Sequence, residues 1–160
     1  MQLETGRFRY LFVLQAFTKI YAVPGIRLGY GISSDKALLE RMETVRQPWS
    51  VSTPAQAAGL SALKEDHREE QTRQLVKSER ERMEKELENL RIEYIPSEAN
   101  FLLFNSEINW FEELKKRVIR IRDCANYRGL GNGWYRMAVR LPEENDRLLE
   151  CMKQVLNERS

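Results

Sequence analysis

The sequence predicts an α/β fold, and three observations predict it. The run Arg9 to Phe17 is nearly continuously apolar and reads as a strand buried on both faces of a parallel sheet. Two stretches, Lys36 to Val45 and Thr53 to about Arg91, carry apolar residues at helical spacing. Beyond Arg91 the texture changes to short strand-like and helical pieces, as expected of a second, smaller lobe. A length of 160 residues with 42% hydrophobic content suits one ordinary domain or two small lobes and can bury a core without staples.

The elements follow in order. Only Met1 to Arg7 precede the first strand, so its sheet neighbours are expected from outside these residues and the chain reads as part of a larger fold. Pro24-Gly25 punctuates the passage to a second short strand, Ile26 to Ile32, and Ser34 or Asp35 caps the next helix. In that helix Leu38, Leu39, Met42 and Val45 recur at helical spacing, and Gln47-Pro48-Trp49-Ser50 ends it. Pro54 opens the following helix, which is expected to bend or break between Lys64 and Glu70, where no apolar residue occurs. Strands are expected at Glu93 to Ile95, Phe101 to Phe104 and Val118 to Arg122, with a helix from Trp110 to Arg117. Gly131-Asn132-Gly133 is a turn before the alternating strand Trp134 to Arg140, and Pro142 opens the last helix.

Composition excludes several function classes. Lys+Arg 26 against Asp+Glu 24 gives a net charge of +2, so no global field points to nucleic acid or a membrane surface. The apolar run Tyr10 to Leu14 is far shorter than the ~20 residues of a membrane span. Cys124 and Cys151 lack CxxC spacing, and with His67 as the single histidine no zinc cluster can be assembled. This cysteine usage suits a reducing, cytoplasmic compartment. His67 lies in the charged run Lys64 to Glu70 and reads as a solvated helix residue, not as a catalytic base.

Nucleotide motifs fail on spacing: from Gly29, a GxGxxG pattern needs glycine where Ser34 stands, and no P-loop occurs. Lys19 carries more information. It follows a buried apolar strand, beside Thr18 and Tyr21, where sites in open α/β folds form. A lysine there can attack carbonyl compounds, and Arg27 is placed so that cation and amine could converge on one anionic cofactor group. Alternation in Tyr135 to Arg140 puts Arg136 and Arg140 on the polar face, and Arg120 and Arg122 likewise share a face; solvent and salt bridges are their ordinary fate.

Phe17-Thr18-Lys19 followed by Pro24-Gly25-Ile26-Arg27-Leu28-Gly29-Tyr30 resembles the lysine segment of class I/II, fold-type I pyridoxal-phosphate aminotransferases. The histidinol-phosphate aminotransferase and threonine-phosphate decarboxylase branches are the most similar in pattern. The resemblance continues through Arg46 to Val51, Pro54 to Ala58, Ala99-Asn100-Phe101, Ile121 to Cys124 and Trp134 to Arg140, nearly the whole chain. It implies the end of a large cofactor-binding domain over 1–66, then a long connecting helix and small α/β domain over 67–160.

It also implies roles. Lys19 matches the lysine that forms the Schiff base with pyridoxal 5'-phosphate and shuttles the α-proton. Thr18 and Arg27 match ligands of the cofactor phosphate. Arg136 matches the clamp on the substrate α-carboxylate, Arg122 an arginine that helps hold a distal phosphate, and Asn100 a residue near the substrate or a structural turn. The implied reaction is transamination or decarboxylation of an amino acid, with a phosphorylated side chain as the favoured class, in a homodimer.

Two departures stand out. Ala16 occupies a position where many relatives carry a phosphate-binding serine, and the family's N-terminal half, with the aspartate that pairs with the pyridine nitrogen, is not among these residues. Hence the expectation that the chain alone has little or no activity. The competing readings are a non-catalytic interaction module that docks on a separate partner, and an RNA contact through the basic stretch Arg117 to Arg128.

Overall fold

The computed structural model describes residues 11–65 and 67–159. Two compact units divide between Glu70 and Gln71.

In the first unit, β1 (Phe12–Ala16) pairs antiparallel with β2 (Gly29–Ser33) in a two-stranded sheet. This corrects the expected doubly buried parallel strand: Leu14 is 78% exposed, and Phe17 leaves the strand to open a single helical turn, α1 (Phe17–Ile20). Arg9 and Tyr10 of the expected strand lie outside the described residues. The second strand begins later than Ile26 because Pro24–Ile26 forms a 3-10 turn and Arg27 adopts a left-handed conformation at φ 58°.

Asp35 caps α2 (Lys36–Val45), its side chain accepting from the Leu38 N–H at 3.0 Å. Ser52 caps α3 (Thr53–Ala62) in the same way. The expected break lies between the end of α3 at Ala62 and the start of α4 (Arg68–Asn89), so α4 begins inside the Lys64 to Glu70 stretch. His67 is exposed one residue before α4 and not inside a helix.

The second unit holds β3 (Glu93–Ile95), β4 (Phe101–Asn105), α5 (Trp110–Lys116), β5 (Arg122–Asp123), β6 (Trp134–Ala138) and α6 (Pro142–Asn157). Its antiparallel sheet has the order β3-β4-β6-β5. Alternation works as the pattern predicts: Leu102 and Phe104 of β4 and Tyr135 and Met137 of β6 enter one core with Met83, Leu87, Leu114, Leu149 and Met152 from the helices. Each such side chain contributes about 1.5–3 kcal/mol by leaving water.

The strand expected from Val118 shrinks to two residues. The end of α5 closes with Ile119 N–H on Leu114 C=O (2.9 Å) and Val118 N–H on Lys115 C=O (3.0 Å), which puts Val118 in the left-handed region at φ 61°. That closure occupies the residues a longer strand would need.

Candidate active-site residues

The lysine hairpin is built from its backbone. The β1–β2 register ends at Ala16 opposite Gly29, and the next rung is the Phe17 N–H on the Leu28 C=O at 3.1 Å. Thr18 and Lys19 therefore leave the strand at the hairpin end where Arg27 enters it. A Cβ on Gly29 would lie 2.8 Å from the Gln15 carbonyl oxygen, so glycine permits this close pairing.

Small residues on α3 let it lie against the same hairpin. Ala55 and Gly59, one turn apart, are buried, and a Cβ on Gly59 would come within 2.5 Å of Leu28 Cδ2. Phe17, itself buried, stacks on Tyr21 at 4.7 Å and meets Tyr30 edge-on at 6.0 Å. Tyr21 also hydrogen-bonds Glu69. Lys19 projects from this packed turn exposed, as does Arg27, and neither forms an ion pair among the described residues. A left-handed arginine costs about 1–2 kcal/mol of local strain, which the surrounding turn sustains.

The donor set here, a primary amine, a hydroxyl and a guanidinium at one hairpin end, fits a cofactor with an aldehyde and a phosphate. Amines add to aldehydes, and hydroxyl and guanidinium donors suit a phosphate dianion. Ala16 supplies no further hydroxyl.

In the second unit, Arg122 and Arg136 are direct cross-strand partners, and Arg136 also faces Leu103 on β4. Opposed residues share one face of the sheet with Cβ atoms about 4.5–5.5 Å apart, where like charges repel. No carboxylate answers either guanidinium among the described residues. Arg136 instead lies over the Phe101 ring, 4.9 Å from its centroid, a contact the sequence reading missed. Alternation was the available signal, since Phe101 shares the face of Leu103.

Cys124, next along the chain, is buried with Sγ 3.8 Å from the Arg122 carbonyl oxygen. Burial pushes its thiol up, so it is a packed thiol and not a nucleophile. Asn100 is exposed and its carbonyl accepts from the Val139 N–H at 2.9 Å, a structural bond beside β4. The structure thus brings Thr18, Lys19 and Arg27 to one hairpin end in the first unit. It brings Arg122 and Arg136 to one sheet face in the second.

The aminotransferase class I and II family model matches residues 2–151, so the chain belongs to this family. It is 38% identical over 151 residues to the threonine-phosphate decarboxylase of Salmonella typhimurium, covering 92% of this chain and 42% of that protein. It is also 38% identical over 145 residues to histidinol-phosphate aminotransferase 1 of Archaeoglobus fulgidus, covering 90% and 44%. The crystal structure of the histidinol-phosphate aminotransferase from Clostridium acetobutylicum superposes with a TM-score of 0.89 at 32% identity, over 97% of this chain and 48% of that one. The chain therefore spans less than half the length of these proteins.

Proposed function

We propose that this chain supplies the lysine and anion-binding parts of a pyridoxal-phosphate-dependent aminotransferase acting on an amino acid with a phosphorylated side chain. The observation that carries the reading is the opposition of Arg122 and Arg136 on one sheet face with no carboxylate paired to either among the described residues. Such a pair is most stable when an anion lies against it. Support for a phosphorylated substrate comes from the relatives, whose names include histidinol phosphate and threonine phosphate.

In this reading Thr18 and Arg27 hold the cofactor phosphate, and Lys19 Nζ takes the proton from the substrate α-carbon and returns it. Arg136 grips the α-carboxylate in two parallel hydrogen bonds, fixing which bond at the α-carbon is cleaved. Arg122 holds the distal phosphate, and Asn100 lies near the substrate. When bound, the cofactor supplies an electron-withdrawing ring conjugated to the α-carbon. The localisation is cytoplasmic, the parent enzyme is a homodimer, and the chain alone turns over slowly or not at all. The domain roles are the end of the cofactor domain over 1–66 and the connecting helix and small domain over 67–160.

A second reading, threonine-phosphate decarboxylation as in cobalamin synthesis, draws support from the 38% identity to the Salmonella decarboxylase, as transamination does from the 38% identity to the Archaeoglobus aminotransferase. Release of carbon dioxide from phosphothreonine would support it, and keto-acid formation with a glutamate partner would support transamination.

The arginine pair is tested by titrating the chain with O-phospho-L-threonine. Arg122→Ala and Arg136→Ala should each weaken binding by about tenfold or more, as loss of a charged hydrogen bond of roughly 1.5–3 kcal/mol requires. Affinity unchanged from that of the unsubstituted chain in both variants would overturn the assignment.

A further inference from the structure

β6 has two edges with different partners. Residues 133 and 139 bond toward β4, through Ser106 N–H to Gly133 C=O and Val139 N–H to Asn100 C=O, both 2.9 Å. Antiparallel alternation then turns the backbone of Trp134, Arg136, Ala138 and Arg140 to the opposite edge. There Trp134 C=O accepts from Cys124 N–H at 2.9 Å, and Arg136 pairs with Arg122 of β5.

Arg140 is satisfied differently. Its N–H donates to Asn145 Oδ1 and its C=O accepts from Asn145 Nδ2, both at 2.9 Å, so a carboxamide stands where a neighbouring peptide group would. Asn145 is 1% exposed, and Glu79 Oε2 fixes it by accepting from Nδ2 at 2.7 Å.

Between these two closed positions lies Ala138, exposed, with no backbone bond to residues 119–121 because β5 begins only at Arg122. A groove of about 220 Å³ opens at this gap, with Ile121, Met137 and Leu148 among its apolar lining residues and Arg120, Arg140 and Arg147 as its basic ones. Glu144 lies there too and pairs with Arg140 at 2.9 Å. Arg147 donates to the Arg117 carbonyl at 3.4 Å, and Arg120 forms no ion pair among the described residues. Positive charge is in excess.

We propose that this groove binds an extended acidic segment of another polypeptide, which adds one peptide group to the β6 edge at Ala138 and sets its carboxylates against Arg120 and Arg147. Asn145 shows at the next position that this edge accepts an amide in that geometry. The same chemistry underlies recognition by strand addition, in which main-chain bonds give affinity and side chains give selectivity. A nucleic acid strand would use the positive charge but neither the apolar lining nor the donor–acceptor pair, and no aromatic face lines the groove to stack on bases. The inference does not depend on the proposed activity, since Arg120, Ala138 and Arg147 have no part in it.

The test is fluorescence anisotropy of a labelled peptide of alternating glutamate and valine against the full chain. Saturable binding is expected, weakening roughly tenfold with added salt and by at least as much in the Arg120→Glu/Arg147→Glu double variant. Both positions are exposed, so the variant should fold. Ala138 amide exchange, read by NMR, should slow when the peptide binds. Absence of saturable binding would overturn the proposal and leave the arginines as guards of an open strand edge. Equal binding of a lysine–valine peptide, an unaffected double variant, or tighter binding of a single-stranded oligonucleotide would overturn it as well.

Discussion

The two units differ in what their apolar residues touch. In the second, Leu102, Phe104, Trp110, Leu114 and Met152 are 0% exposed and form one contiguous core. In the first, Phe17, Ala55 and Gly59 are the only buried ones among the described residues, whereas Val45 is 82% exposed and Trp49 97%. The amphipathic pattern of α2 is as clear in sequence as that of α6. Pattern therefore predicts that a helix forms, but burial depends on what lies opposite, and the first unit offers α2 little to cover it.

Hydrogen exchange should break or sustain this contrast most sharply. Amides of β4, β6 and α6 should exchange orders of magnitude more slowly than those of β1, β2 and α2, because protection tracks the local density of buried contacts. Uniform protection along the chain would contradict it.

Point truncation should show the same asymmetry on a smaller scale. Phe104→Ala should destabilise the second unit by about 3–5 kcal/mol, whereas Val45→Ala should stay within about 0.5 kcal/mol in denaturant titrations. Asn145→Ala should cost about 1–3 kcal/mol, since it strips partners from the Arg140 N–H and C=O and from Glu79 together.

The smallest effect is electrostatic. Arg82, hydrogen-bonded to Glu79 at 2.7 Å, holds the Glu79 carboxyl below the ordinary glutamate range, outweighing the opposing effect of burial. A depressed folded value means that its stabilisation is complete above the unfolded value, about pH 4.3, and is lost as pH falls through the folded one. Glu79→Gln should flatten the acid limb of the stability profile of the second unit. An unchanged acid limb would show that the pair contributes nothing to it.

Much of this architecture was legible in the residues. Caps at Asp35 and Pro-led starts at Pro54 and Pro142 act locally, so their elements fall where the pattern puts them. The failures are tertiary or depend on helix ends. Nothing local announces that Val118 takes the left-handed closing position of α5, since glycine usually serves there. The apolar run ending at Phe17 could not reveal whether its partner is parallel, because composition reports burial more readily than pairing. Asn145 stands on the apolar stripe of α6 beside Leu148 and Leu149, a signal that it is a buried, satisfied amide. Lys19, Arg27, Arg122 and Arg136 were legible as a set only through resemblance; alternation alone would have assigned both strand arginines to solvent.

Borohydride reduction of the chain with pyridoxal phosphate, followed by peptide mapping, tests the proposal that Lys19 is the cofactor lysine. The label should concentrate on the peptide containing Lys19 and be lost in Lys19→Ala, whose melting should be unchanged because the side chain is exposed. A label spread evenly over exposed lysines such as Lys36, Lys77 and Lys115 would contradict it.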